Sequence, residues 1–319
     1  MKKKNGSKIA VYAVCLSMFV STFTFSDELA VCFGGLAGNA VRFFGRANET
    51  AGNESPYVEA PQDGFSDGAV ISAAMTSTEA SGGSVGKNDT GDGYSTPEDI
   101  CTLMENAEKE YEKKNLGGKI REETFGAESV KNVYKNVAVK NTTDERADIE
   151  ELLKRKPKLG NVTKEKPYIL IYHTHTTETY ELLDKGFYSK SLASRTEDTE
   201  RNMVRVGDEL TLKLEEAGFS VIHDRDIHDE KYTGAYDDSR IDIEKYLEKY
   251  PSIVITLDIH RDAIHYSSGV RSKPTAVING QKAAQVMIIT GCEGGKVEDF
   301  PGWENNLVFA LHLLDGLDG

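Results

Sequence analysis

The chain has 319 residues, 39% of them hydrophobic, with a formal net charge of -14 at pH 7. That is enough apolar material for one sizeable core with accessory segments. The acidic balance, with Lys clustered only at the N-terminus, excludes a nucleic-acid binder, which needs basic clusters to neutralise phosphates. The four cysteines, Cys15, Cys32, Cys101 and Cys292, stand far apart without a C-x-x-C pair, so neither a zinc knuckle nor a disulfide scaffold is indicated. Cys292 is read as structural, not as a nucleophile.

Lys2, Lys3, Lys4 and Lys8 precede an uncharged run, IAVYAVCLSMFVSTFTF, at residues 9–25. A basic start before an apolar segment signals export, and the run reaches the short end of the ~17–25 residues that span a bilayer. With no A-x-A cleavage site after it, residues 1–28 are expected to be an uncleaved single-pass anchor in the cell membrane, the bulk of the chain lying outside. Secretion after cleavage is the alternative. Residues 29–98, rich in Gly, Ser, Asn, Thr and Asp, bury too little surface to offset their ordering entropy and are expected to be a flexible extracytoplasmic stalk.

Residues 99–165 form a lead-in subdomain. A helix starts at Ser95-Thr96-Pro97-Glu98 and stops at Gly117-Gly118, VYKNVAVKN alternates like a strand, and DERADIEELLKRK is a short helix. From residue 166 to 319 the pattern is α/β: strands at 168–172, 219–222, 253–257 and 284–289, with helices at 202–218 and 239–250 between them. Alternation of this kind implies a largely parallel sheet flanked by helices, with ligand sites at the carboxyl ends of the strands.

Two strands end in histidine. One delivers His173-Thr174-His175-Thr176-Thr177-Glu178, the other Asp258-Ile259-His260-Arg261-Asp262. Imidazole nitrogen and carboxylate oxygen suit zinc, which keeps an open position in catalytic sites. His175 and His260 are the favoured ligands, His173 being a supporting or alternative one. Glu178 in the same loop and Glu200 at the start of the next helix are both candidates for the carboxylate ligand. Asp258 and Asp262 flank His260 and would orient imidazoles. His223, His228, His265 and His312 are read as hydrogen-bonded surface residues.

The stretches ILIYHTHTTETY, RVGDEL, VIHDRDIHD, LDIHRDA and WENNLVFALHL, with the lead-in VAVKNTTDERADIEELL, resemble in order the stage II sporulation protein P family, membrane-anchored cell-wall hydrolases of spore-forming Firmicutes. The resemblance runs from about Val137 to the end. It implies a zinc amidase-like α/β fold and cleavage of the N-acetylmuramoyl-L-alanine amide of peptidoglycan, with endopeptidase action on cross-links, in septal wall thinning and engulfment. It further implies peptidoglycan stem peptides as substrate, stage II sporulation proteins D and M as partners, and the forespore septum as location. Arg261 or Arg201 would hold a stem-peptide carboxylate. The resemblance also leads one to expect a further strand with a catalytic Glu-Val-Gly motif, whereas the sequence stops at Gly319. Either the chain is C-terminally truncated or Glu293 supplies that function. A non-catalytic wall-binding scaffold and a metal-dependent glycan deacetylase are the alternatives.

Overall fold

A computed structural model describes residues 13–17, 57–58, 68–75, 98–111, 116–124, 132–134, 137–141, 145–159, 165–183, 186–190, 194–231, 234–278, 281–295 and 302–316. In chain order the elements are β1 (Ala13–Ser17), β2 (Tyr57–Val58), β3 (Gly68–Met75), α1 (Glu98–Tyr111), β4 (Leu116–Glu123), β5 (Asn132–Tyr134), β6 (Val137–Asn141), α2 (Ile149–Leu153) and β7 (Ile169–Tyr172). There follow β8 (Phe187–Ser189), α3 (Met203–Glu216), β9 (Val221–His223), α4 (Ala235–Lys249), β10 (Ile255–His260), β11 (Ile264–His265), β12 (Arg271–Ile278), β13 (Gln281–Ala284), β14 (Met287–Gly295) and α5 (Trp303–Gly316). The protein is mixed α/β.

The larger sheet runs β5-β6-β3-β14-β1-β10-β7-β9. Its β1-β10-β7-β9 half is parallel, and every pairing from β1 through β14, β3 and β6 to β5 is antiparallel. The expectation of a largely parallel sheet therefore holds for one half only, because β14 runs back against β1. A smaller sheet, β2-β11-β12-β4-β8, stands beside it, with β13 paired to β12.

Strand β7 shows why this sequence is a central strand. All four residues are buried, and alternate side chains leave opposite faces. Ile169 and Ile171 join a large core with Leu210 and Leu214 of α3, Ile255, Leu257 and Ile259 of β10, and Leu307, Leu311 and Leu314 of α5. Leu170 and Tyr172 pack on the other face with Leu247 of α4 and Ile253. Helix α3 begins where Asn202 caps it, its side chain accepting from the Val204 N–H at 3.0 Å. Its chain reversal is completed at Gly218, whose φ of 89° favours glycine.

Three expectations change. Gly117-Gly118 do not stop a helix: α1 ends at Tyr111 and both glycines lie in β4. The Tyr188 ring crosses them so closely that a Cβ on Gly117 would come within 2.5 Å of Tyr188 Cδ2. Within the expected stalk, Tyr57–Val58 and Gly68–Met75 are strands, the latter between β6 and β14. The rest of residues 29–97 lies outside the described residues. Val137, Val139, Ile149 and Leu152 share the large core, so the lead-in segment is continuous with the α/β core.

Within the apolar run at 9–25, Ala13–Ser17 is a strand, parallel to β10 and antiparallel to β14. Among the described residues no helix is long and apolar enough to cross a membrane. An unbroken apolar run suits a strand buried on both faces as well as a membrane helix, and periodicity does not separate the two. Removing residues 1–30 takes the ladder partner from both β10 and β14. The expected result is a loss on the order of 3 kcal/mol or more in chemical denaturation of the shortened protein, since each ladder bond contributes about 1 kcal/mol. An anchor that only tethers would leave the unfolding midpoint unchanged.

Candidate active site

The β7–β10 ladder runs from Ile255 opposite Ile169 to Asp258 opposite Tyr172. Being parallel, the two strands release their polar continuations on the same edge. Beyond Tyr172 the chain coils instead of extending: Thr176 Oγ1 donates to the His173 carbonyl at 2.8 Å, and the Glu178 N–H donates to the His175 carbonyl at 3.1 Å. The coil sends His173 and His175 to different surroundings.

Both histidines are buried, at 0% and 4% exposure, but only one faces His260. His173 Nδ1 lies 3.0 Å from the Ile259 carbonyl and Nε2 lies 2.9 Å from His223 Nε2. A carbonyl can only accept, so His173 carries a proton on Nδ1. The His175 ring stands edge-on to His260, with ring centres 5.4 Å apart, and to Tyr236 at 5.4 Å.

Two threonines then repeat one device. Thr174 donates from N–H (2.9 Å) and Oγ1 (2.7 Å) to the two oxygens of Asp258, and Thr177 does the same to Asp229 at 2.9 and 2.7 Å. Each clamped aspartate backs one histidine. Asp258 Oδ1 is 2.9 Å from His260 Nε2, and Asp229 Oδ2 is 3.8 Å from His175 Nδ1. Beside His260 lies Glu178, its Oε2 3.6 Å from His260 Nδ1 and accepting from the Arg261 N–H at 3.1 Å. Arg195 pairs with Asp229 and reaches Glu178 Oε1 at 3.4 Å.

The charges follow from these contacts. Burial opposes ionisation of Glu178, but His260, Arg261 and His175 outweigh it and hold the carboxyl below the usual range. Asp258 is lowered against burial by His260 and Thr174, and Asp229 by His175, Thr177 and Arg195. Burial pulls His260 down, yet Asp258 and Glu178 push it up to about 10. His173 is lowered to about 3 by burial and then by His223.

A histidine backed by a carboxylate on one nitrogen, with the other nitrogen turned towards further ligands, is the usual outer arrangement of a metal-binding imidazole. The 3.6 Å between His260 Nδ1 and Glu178 Oε2 is close to the separation of about 3.3–3.4 Å that two ligands at 2.0–2.1 Å span on tetrahedral zinc. His175, His260 and Glu178 are therefore donors of the right chemical kind for a metal. As the side chains stand, no group of three or more His, Cys, Asp or Glu among the described residues is arranged to hold a metal ion, so ligation requires rotation of these side chains.

The other sequence candidates fall elsewhere. Glu200 is exposed and pairs with Arg205 at 3.4 Å. Glu293 lies in β14, which runs antiparallel to β1: Ser17 is opposite both His260 and Met287, so Glu293, six residues further along β14, is carried towards the opposite edge. That strand direction separates Glu293 from the histidines. Asp262 accepts from the Ala263 N–H at 2.7 Å, and burial raises its pKa. The Arg261 guanidinium donates to the Ser194 carbonyl at 2.8 Å. His223 and His228, expected at the surface, are enclosed: the side chain of His223 is 6% exposed, and the whole of His228 is 4% exposed. The sequence reading also missed Asp229 and Arg195. The repeated His-Asp of VIHDRDIHD was the one signal that pointed to Asp229.

Gly207 of α3 sits against the His173–His223 pair, where a Cβ would come within 2.6 Å of His173 Nε2 and closer still to His223. Glycine to alanine inside a helix ordinarily adds about 0.5–1 kcal/mol. Gly207→Ala is instead expected to cost about 1–3 kcal/mol, as overpacking does, measured by denaturant unfolding.

Stability of the metal-free protein should peak near pH 6–7. The depressed carboxyls of Glu178, Asp258 and Asp229 stabilise above the unfolded carboxyl range and lose that contribution as pH falls through their folded values. His173, neutral when folded, adds a loss from about pH 6.5 downwards. His260, raised to about 10, contributes fully below pH 6.5 and progressively less as pH climbs to 10. Thermal melts in chelator should decline on both sides, and His260→Asn should flatten the alkaline side and weaken the acid side in part, because His260 is the main group that depresses Glu178 and Asp258.

Comparison with known proteins places this site in a family. No solved structure matches the chain. Stage II sporulation protein P of Bacillus subtilis (strain 168) is 28% identical over 168 residues, a match covering 48% of this chain and 40% of that relative. The family described as Stage II sporulation protein P (SpoIIP) matches residues 88–319, which include His175, Glu178, Arg195, Asp229, Asp258 and His260, and the chain belongs to that family.

Proposed function

We propose that this protein is a zinc-dependent peptidoglycan hydrolase that cleaves the N-acetylmuramoyl-L-alanine amide, and peptide cross-links as a second activity, during septal wall thinning and engulfment in sporulation. The observation that carries the reading is the pair of threonine-clamped aspartates, Asp258 behind His260 and Asp229 behind His175, with Glu178 beside His260. Membership of the SpoIIP family supports the sporulation role.

His175, His260 and Glu178 would hold the metal. When bound, zinc supplies the Lewis acid that polarises an amide carbonyl and brings the acidity of water close to neutrality. The protein's own part is to hold three ligands in place. Asp258 and Asp229 fix ring orientation, and Arg195 with the Arg261 N–H keeps Glu178 turned inwards. His260 must release its proton to bind metal, so uptake should liberate protons and weaken as pH falls. The guanidinium of Arg261 donates to the Ser194 carbonyl and that of Arg195 pairs with Asp229 and Glu178, so stem-peptide carboxylate binding is not assigned to these two.

Stage II sporulation proteins D and M are the proposed partners, and the extracytoplasmic face of the septal membrane is the proposed place of action. Attachment through residues 9–25 would require Ala13–Ser17 to leave the sheet, so export is the part of the localisation that the proposal retains.

Purified protein should contain about one zinc per chain by elemental analysis and release stem peptides from peptidoglycan, stopped by chelation. His260→Ala should lower release by at least about 10²-fold, and Asp258→Asn should weaken zinc binding by about 10–100-fold. Absence of zinc, or an unchanged digest from His260→Ala, would sink the proposal. Loss of acetyl groups without freed peptides, seen by mass spectrometry, would identify a deacetylase instead.

A further inference from the structure

The β7–β10 ladder ends at Tyr172 and Asp258, one residue short of Ile259 and two short of His260. On the β7 side the next carbonyl of β10 is taken by a side chain: His173 Nδ1 lies 3.0 Å from the Ile259 carbonyl. His173 is held from behind by His223, Nε2 to Nε2 at 2.9 Å, and the rings meet edge to face at 82°. His223 Nδ1 is in turn 3.0 Å from Asp208 Oδ1, and Arg225 pairs with the same carboxylate. With His173 protonated on Nδ1, both contacts of His223 are made only when each of its nitrogens carries a proton, an imidazolium paired with Asp208. At the other end, the His173 backbone carbonyl accepts from Thr176 Oγ1 at 2.8 Å and faces His228 Nδ1 at 3.1 Å.

We infer that Asp208, His223 and His173 form a buried positioning chain that stands in for the missing β7 partner of Ile259 and, together with the β1 pairing of Leu16 and Ser17 on the other edge, fixes His260. None of the three faces the space between His175, His260 and Glu178; they act through the β10 backbone. Three features of the chain serve this purpose together. Gly207 leaves room for two edge-to-face imidazoles against a helix, where any Cβ would intrude. Asp208, the next residue, carries the anchoring carboxylate, and β9 ends on His223. The carbonyl of Ile259 is one peptide from the His260 backbone, so a shift there swings the His260 ring directly. The role in metal binding rests on the reading of the site given above, whereas the effect on the β10 backbone does not.

Two variants and a rescue test it. Asp208→Asn keeps the shape of a partly exposed side chain, His223→Leu removes both ring contacts, and His223→Gln retains a donor that can reach His173. Two readouts are taken: residue-resolved amide hydrogen exchange of metal-free protein, and zinc dissociation constants by competition titration. In Asp208→Asn and His223→Leu, exchange at the His260 and Arg261 amides should accelerate about tenfold or more while the Leu170 and Ile171 amides stay as in the parent. Zinc binding should weaken about 10–100-fold, and His223→Gln should recover most of both. Unchanged exchange at His260 and Arg261 in both variants, or equal acceleration throughout β7 and β10, would overturn the inference. If the parent protein binds no zinc, the metal reading fails and the exchange measurement alone decides the positioning chain.

Discussion

Parallel pairing of β7 with β10 is the constraint on which the rest depends. Five buried aliphatic residues, Ile169, Leu170, Ile171, Ile255 and Leu257, fix the two strands side by side in one register. Because the strands run the same way, both polar continuations emerge at one edge, and residues some eighty positions apart in sequence meet. Each aliphatic side chain buried there contributes about 1.5–3 kcal/mol relative to exposure. That apolar core is what permits a dense set of ionisable groups to be enclosed beside it.

Enclosure of charge is costly unless each group finds a partner, and the carboxylates of this site meet the condition by reuse. Thr174 and Thr177 each offer a backbone and a hydroxyl donor to one aspartate. Asp229 also takes Arg195, while Glu178 takes the Arg261 N–H. A chain with a net charge of -14 thus places its cationic groups, Arg195 and Arg225 among them, against the carboxylates that most need them. The same network that ionises these carboxyls orients the histidines, so the electrostatic and geometric requirements of the site are met by one set of bonds.

Much of this was legible in sequence. Apolar runs ending in His-x-His and Asp-x-His gave the two strands and the edge they share, and helices at Met203–Glu216 and Ala235–Lys249 match the periodic segments between them. Less legible were β1 and β3. An apolar run behind lysines reads as a membrane segment, and Gly68–Met75 lies in a sequence otherwise full of Gly and Ser, yet both are central strands. Local composition scores a segment by its neighbours in the chain, and these strands take their stabilisation from neighbours in the sheet.

The sequence by itself determined the residue types and the strand ends at which they appear, since burial of short aliphatic runs and the period of the intervening helices are local properties. Tertiary structure alone decided which groups converge. The turn after Tyr172 separates His173 from His175, the backbone contacts of the coil bring Glu178 inwards while Glu200 stays in solvent, and the reversed direction of β14 carries Glu293 away. The physical reason is that strand direction and loop curvature are fixed by hydrogen bonds between segments distant in sequence, and no spacing of residues along the chain encodes them.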